Sequence, residues 1–174
     1  MDIRYTVLSP FKIDFLKIKC ADFKNKKELF QNELNKFKEK RLPSFYSNKN
    51  SANLEKPFTQ IFEPEIDLMK SHFNSKINIQ KVWSVSYDHG DYHIPHNHGS
   101  IGYAGILYFN MEKNFHGQRT IYLQPWNNQD DKSVLFEPDV EEGDIMIVPQ
   151  FILHFTRPNL SSGIKRIVSF DFKI

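Results

Sequence analysis

The sequence predicts a mainly β domain of jelly-roll type with helices packed on one side. Three observations point there. The chain has 174 residues, a length that suits one domain with a sizeable core. From Ile77 onward, short runs rich in β-branched and aromatic residues are separated by turn signals at the spacing of a sandwich or barrel. Before Ile77, apolar residues recur at helical spacing in two segments. With 16 Phe against 7 Gly, the core is expected to be filled with aromatic bulk.

Taken in order, Phe11, Ile13 and Phe15 alternate with Lys12 and Asp14, as in a strand with one buried face. Phe30, Leu34 and Phe37 then mark a helix within "KKELFQNELNKFKEKR". The stretch "LPSFYSNKNSANLEKP" has Pro, Ser and Asn without periodicity and reads as a loop. Glu63-Pro64 opens a second helix carrying Ile66, Met69 and Phe73 on one stripe. The β runs are "INIQKVWSVSY", "GYAGILYF", "RTIYLQ", "SVLFEP", "DIMIVP", "FILHFT" and "IKRIVSFDF". The expected organisation is one domain over residues 1–174, with 1–80 as strand and helical support and 81–174 as the β core.

A formal charge of +2 implies no nucleic-acid partner, and the basic runs "KNKK" and "KFKEKR" are interleaved with Glu, Asn and Leu as on a solvated helix face. Cys20 is alone, which excludes an intrachain disulfide and fits a reducing compartment. The first residues lack an apolar signal region and no stretch is long enough to span a membrane. A cytoplasmic soluble protein is the expectation, acting on a small-molecule or macromolecular substrate.

Four of the seven histidines fall between His89 and His98, in a segment that ends "HIPHNHGS". Alternate residues of a strand share a face, so His96 and His98 would present two imidazoles together. His154 in "FILHFT" is the candidate third ligand, since a jelly roll brings sequence-distant strands together. His89, His93 and His116 are expected at the surface or just behind the ligands. Imidazole suits Zn, Cu, Ni and non-haem Fe alike, so the ligands alone leave the metal open. Arg166, early in the last strand, could offer a fixed guanidinium to a carboxylate, unless it or Lys165 beside it simply points to solvent.

The order "HNH", "GYAGILYF", "EEGDIMIVPQFILHFTRP" and "KRIVSFDF" resembles the Fe(II)- and 2-oxoglutarate-dependent oxygenases, closest to a branch of small oxygenases with a His-x-His motif. The similarity covers roughly Val82 to Phe172. It implies a double-stranded β-helix, a cupin-like jelly roll, that holds Fe(II) by His96, His98 and His154. It also implies that Arg166 binds the distal carboxylate of 2-oxoglutarate, and that oxidative decarboxylation of this cosubstrate drives hydroxylation of a substrate. Tyr103 and Tyr108 are candidate helpers for the cosubstrate, but their opposite parity lets only one face inward on a regular strand. Two positions depart from the pattern. His98 stands where His-x-Asp or His-x-Glu has a carboxylate, leaving an electropositive site without the usual carboxylate hydrogen-bond acceptor. Val168 stands where many relatives have Ser in Arg-x-Ser.

Two other readings stay open. Gly143, Pro149 and His154 also fit a cupin-type three-His dioxygenase that uses no 2-oxoglutarate, although residues 99–111 lack the Glu expected there. A non-catalytic β-sandwich could use Trp83, Tyr87, Tyr122 and Trp126 to stack on ligands. Nucleophilic catalysis has no support, because no Gly-x-Ser-x-Gly or phosphate-cradling Gly loop occurs. "LPSFYSNKNSANLEKP" and "QPWNNQDDKS" are the candidate substrate rim.

Overall fold

The computed structural model describes residues 13–42, 47–50, 53–112 and 118–174. Strand β1 (Leu16–Lys19) is followed by helix α1 (Phe23–Leu34), then by the short strands β2 (Lys40–Leu42) and β3 (Ser47–Asn50). Helices α2 (Glu55–Ile61) and α3 (Glu63–Phe73) follow. The remaining strands are β4 (Asn78–Tyr87), β5 (His93–His96), β6 (Tyr103–Asn110), β7 (Thr120–Asn127), β8 (Ser133–Phe136), β9 (Asp144–Pro149), β10 (His154–Thr156) and β11 (Lys165–Lys173).

The strands form two antiparallel sheets. The larger has the order β1-β9-β6-β11-β4-β3-β2 and the smaller β5-β10-β7-β8. Neighbours in space are mostly distant in sequence, the arrangement of a jelly roll. The alternation of side chains along each central strand divides the interior in two. Val168, Phe170 and Phe172 of β11 pack with Leu107 and Phe109 of β6 against Phe30, Phe58, Phe62 and Met69 of the helices. Ile167 of β11, Ile106 and Tyr108 of β6, and Trp83, Val85 and Tyr87 of β4 face the smaller sheet.

Aromatic bulk fills the helical layer as its composition suggested. Phe30 meets Phe58, Phe62 and Phe109 edge-on at centroid distances of 5.8, 5.7 and 5.9 Å, the geometry that the ring quadrupole favours. Gly105 makes room for this layer. It pairs with Phe170 across β6 and β11, and a Cβ there would overlap the Phe170 ring. Helix α3 begins as its sequence predicts, with Pro in the first turn beside Glu63 and Glu65, and it ends at Asn74 in the left-handed conformation (φ 47°).

The N-terminal third differs from its expected form. The first described strand lies at Leu16–Lys19, C-terminal to the alternation read at 11–15, and Phe11 lies outside the described residues. Phe37 follows the end of α1 and is exposed. The stretch read as a loop contains the last residue of β2, all of β3 and the start of α2 in its described part. Backbone pairing with β4 makes a strand of "SNKN" without any apolar alternation. Among the described residues, no helix is long and apolar enough to cross a membrane.

Candidate metal centre

His96 is the last residue of β5, and His154 is the first residue of β10, directly opposite it in the antiparallel ladder. The third histidine comes by an adjacent-strand contact within one sheet, and facing across the barrel is not needed. His98 lies beyond the end of β5, where its backbone N–H donates to the Gln150 carbonyl at 3.0 Å. The His96–His154, His98–His154 and His96–His98 ring centroids are 4.5, 5.0 and 5.5 Å apart. One ring nitrogen from each of the three lies within 4.8 Å of the others.

The second nitrogen of each ring is already engaged. Nδ1 of His96 donates to the Ile94 carbonyl at 2.8 Å, that of His154 to the Ile152 carbonyl at 3.0 Å, and that of His98 to Asp171 Oδ1 at 2.7 Å. Such bonds fix ring orientation and tautomer and make Nε2 the nitrogen that would ligate a metal, the usual support of a metal-binding imidazole. Burial, followed by the neighbouring imidazoles, pushes His154 down to about 3, and burial also lowers His96. These two rings are therefore neutral at physiological pH, the form that binds metal. Asp171 also supplies the carboxylate acceptor that a three-imidazole set was expected to lack.

The site opens into a narrow cavity between the sheets, lined also by Trp83, Tyr87, Ile106, Thr156 and Ser169. His93 lines it too. Its ring lies 4.4 Å from that of His96 and its Nδ1 shares a 3.1 Å hydrogen bond with the Tyr87 hydroxyl. Burial and the nearby imidazoles lower it to about 3. His89 is exposed with Nδ1 on the Ser161 carbonyl, and His116 lies outside the described residues. At the cavity edge, Lys49 and Lys81 stand 4.8 and 5.5 Å from the Trp83 ring centroid.

The expectation for Arg166 is corrected by the parity of β11. Arg166 shares the face of Val168 and Phe170, turned to the helical layer. Its guanidinium donates to Ser86 Oγ at 2.8 Å, Gln31 Oε1 at 2.9 Å and Glu39 Oε1 at 3.2 Å. Lys165 shares the face of Ile167 and Ser169, which line the cavity. It is 1% exposed, its Nζ has no hydrogen-bond partner among the described residues, and it lies 4.7 Å from the Tyr87 ring centroid. Burial pushes its pKa down to about 7. Neither residue points to solvent.

The two tyrosines divide as their spacing required. Tyr103 stacks on Phe172 at 5.4 Å and touches Phe73 at 4.6 Å, in the helical layer away from the histidines. Tyr108 is fully buried on the cavity side and accepts the Thr120 backbone N–H at 3.4 Å. Beside it, the Tyr122 ring lies 5.8 Å from that of His154, and the hydroxyls of Tyr122 and Thr120 lack a well-formed hydrogen bond among the described residues. The hairpin of β7 and β8 borders an apolar groove of about 530 Å³ lined by Phe15, Tyr122, Trp126 and Phe136.

No protein-family model matches the chain, and no curated protein is similar to it in sequence. Solved structures are similar in fold. HygX from Streptomyces hygroscopicus, solved with nickel and 2-oxoglutarate bound, matches over 92% of this chain and 83% of its own, with a TM-score of 0.69 and 14% identity. An oxidoreductase of the 2OG-Fe(II) oxygenase family from Burkholderia pseudomallei matches over 91% and 84%, with a TM-score of 0.69 and 8% identity. The chain has the 2OG-Fe(II) oxygenase fold. Viral collagen prolyl hydroxylase from Paramecium Bursaria Chlorella virus-1, solved as a 2OG complex, shares that oxygenase fold over 92% of this chain and 96% of its own, with a TM-score of 0.61 and 16% identity.

Sequence reasoning gave Lys165 no role beyond a solvent-facing neighbour of Arg166, named Tyr87 and Tyr122 only as stacking surfaces, and missed Asp171. A signal for two of them was present. In "KRIVSFDF" the even positions 168, 170 and 172 are apolar and the odd positions 169 and 171 are polar, so the strand has one more polar face, to which Lys165 and Asp171 belong.

Proposed function

We propose that this protein is an Fe(II)- and 2-oxoglutarate-dependent oxygenase that hydroxylates its substrate, acting as one domain over residues 1–174. The observation that carries this reading is Lys165, a buried amine with no hydrogen-bond partner among the described residues, on the same interior face as three converging imidazoles. Burying an unpaired charge is costly. An anion in the cavity relieves that cost, and a cupin-type enzyme without 2-oxoglutarate gives the cation no use. HygX, solved with 2-oxoglutarate bound on this fold, supports the same assignment.

The three imidazoles fit a metal ion in donor type and convergence. Nε2 of His96, His98 and His154 would hold the iron, while the bonds at Nδ1 keep the rings from turning. When bound, iron and 2-oxoglutarate together supply the oxidising chemistry by coupling dioxygen to decarboxylation of the cosubstrate. Lys165 would take the carboxylate remote from the metal, with the Tyr87 ring against its ammonium. Tyr108, Thr120 and Tyr122 bring hydroxyls to the same buried region. Trp83, Ile106 and Ile167 wall the cavity against bulk water.

The test is an anaerobic titration with Fe(II) and then 2-oxoglutarate, followed by the visible absorption that accompanies chelation of ferrous iron by the 2-oxo acid. The band is expected in the wild type and, in Lys165→Met, only at about 10- to 100-fold higher 2-oxoglutarate, and iron binding is expected to be lost in His154→Ala. Iron binding without the band would favour the cupin-type alternative. Absence of iron binding would favour the aromatic binding module.

A further inference from the structure

The ligand set is three imidazoles, yet their surroundings are unequal. His96 and His154 each donate Nδ1–H to an uncharged backbone carbonyl of the residue two positions earlier. His98 alone donates to a carboxylate, at 2.7 Å. This is the position at which the oxygenase pattern has a carboxylate ligand. We propose that Asp171 supplies, through the His98 ring, the negative charge that the three-imidazole ligand set lacks. The inference rests on the metal-centre reading above and concerns how that centre is balanced.

The geometry around Asp171 supports this. It sits on β11 between two partner strands, opposite Ala104 of β6 and Lys81 of β4, so its backbone is held from both sides. Its parity places it on the cavity side with Ile167 and Ser169. A cross-strand partner of opposite charge, Lys81, stands directly opposite, and such pairs ordinarily bond to each other. Among the described residues, the close contact of the Asp171 carboxylate is instead with Nδ1 of His98, between side chains that are only 7% and 16% exposed. Little water screens it, so the charge is felt at the far side of the ring. A carboxylate acceptor raises the basicity of the imidazole behind which it stands and strengthens its hold on a cation. The net charge of metal, ligands and Asp171 is then the same as in a site with two histidines and one ligating carboxylate. Here the charge lies one ring further out, where it cannot take a coordination position.

Asp171 is thus a positioning and charge-balancing residue, and removing its charge should move two affinities in opposite directions. Asp171→Asn keeps an oxygen acceptor for Nδ1 and almost the same volume. Fe(II) affinity, measured anaerobically by chelator competition, is expected to fall about 10- to 100-fold. 2-Oxoglutarate affinity of the iron-saturated variant is expected to rise about tenfold, because the loaded site is one charge more positive toward a dianion. Local disorder of the His98 ring would weaken both ligands together, so that outcome would overturn the proposal. Unchanged iron affinity in Asp171→Asn, with loss in Asp171→Ala, would also overturn it and leave Asp171 as a neutral prop for the ring. Failure of the wild type to bind iron would refute the metal-centre reading itself.

Discussion

Replacing Lys165 by Met tests the site through stability as well as through binding. The side chain is nearly the same length, so the change removes the ammonium and fills most of its space. In the unliganded protein, a pKa lowered from 10.5 to about 7 corresponds to destabilisation of the charged form on the order of 5 kcal/mol. Against this stands the contact of the ammonium with the Tyr87 ring, worth about 0.5 to 2 kcal/mol. The desolvation cost wins, and replacement of uncompensated buried charge by an apolar group of similar volume typically stabilises by about 1 to 4 kcal/mol. Lys165→Met should therefore unfold at a temperature several degrees above the wild type, at roughly 2 to 4 °C per kcal/mol for a domain of this size. In the same variant, 2-oxoglutarate should bind about 10- to 100-fold more weakly, because a charge-assisted hydrogen bond of about 1.5 to 3 kcal/mol is lost. Thermal unfolding of the iron-loaded protein with and without 2-oxoglutarate reads both effects. A variant that melts lower than the wild type and keeps its full 2-oxoglutarate shift would refute the assignment of Lys165 as an uncompensated cation awaiting an anion.

Further outcomes follow from the same geometry. Between pH 7 and 10.5 the unfolded chain holds the Lys165 proton more tightly than the native protein, so stability should rise with pH across that window, and Lys165→Met should remove this component in urea titrations at several pH values. Below pH 7 both states carry the proton and the component is flat. Capture of the 2-oxoglutarate dianion should draw a proton onto Lys165 above pH 7, seen as a buffer-dependent binding enthalpy that Lys165→Met lacks. Arg166→Ala should leave 2-oxoglutarate affinity within about twofold while lowering stability by about 1 to 3 kcal/mol in denaturant titrations, since it frees Ser86, Gln31 and Glu39 rather than the cavity. Loss of cosubstrate binding there would restore Arg166 to the clamp. Gly105→Ala should destabilise by about 1 to 3 kcal/mol through overlap with Phe170, measured as a lowered unfolding midpoint, with the metal ligands untouched.

The β core and the three histidines were legible in the sequence because each rests on a local pattern. The runs from "INIQKVWSVSY" to "IKRIVSFDF" meet β4, β6, β7, β8, β9, β10 and β11. The edge strands β2 and β3 were not legible, since polar residues such as "SNKN" become a strand only through hydrogen bonds to β4. Helix α2 was hidden for a related reason. Its seven residues bury only Phe58 among them, too little for a helical stripe to stand out.

Composition, alternation and motif order therefore determined a jelly roll with three imidazoles as the candidate metal ligands, because side-chain periodicity and ligand chemistry are properties of the chain itself. Tertiary structure decided which neighbour of a pair faces the cavity side. The choice of Lys165 over Arg166 and of Tyr108 over Tyr103 turns on which face of β11 and β6 meets the smaller sheet and which meets the helices. The recruitment of Asp171 behind His98 turns on a contact between residues 73 positions apart. Such contacts exist only once two layers have closed on opposite sides of one sheet, and period-two alternation says that two faces differ without saying which of them will hold the metal.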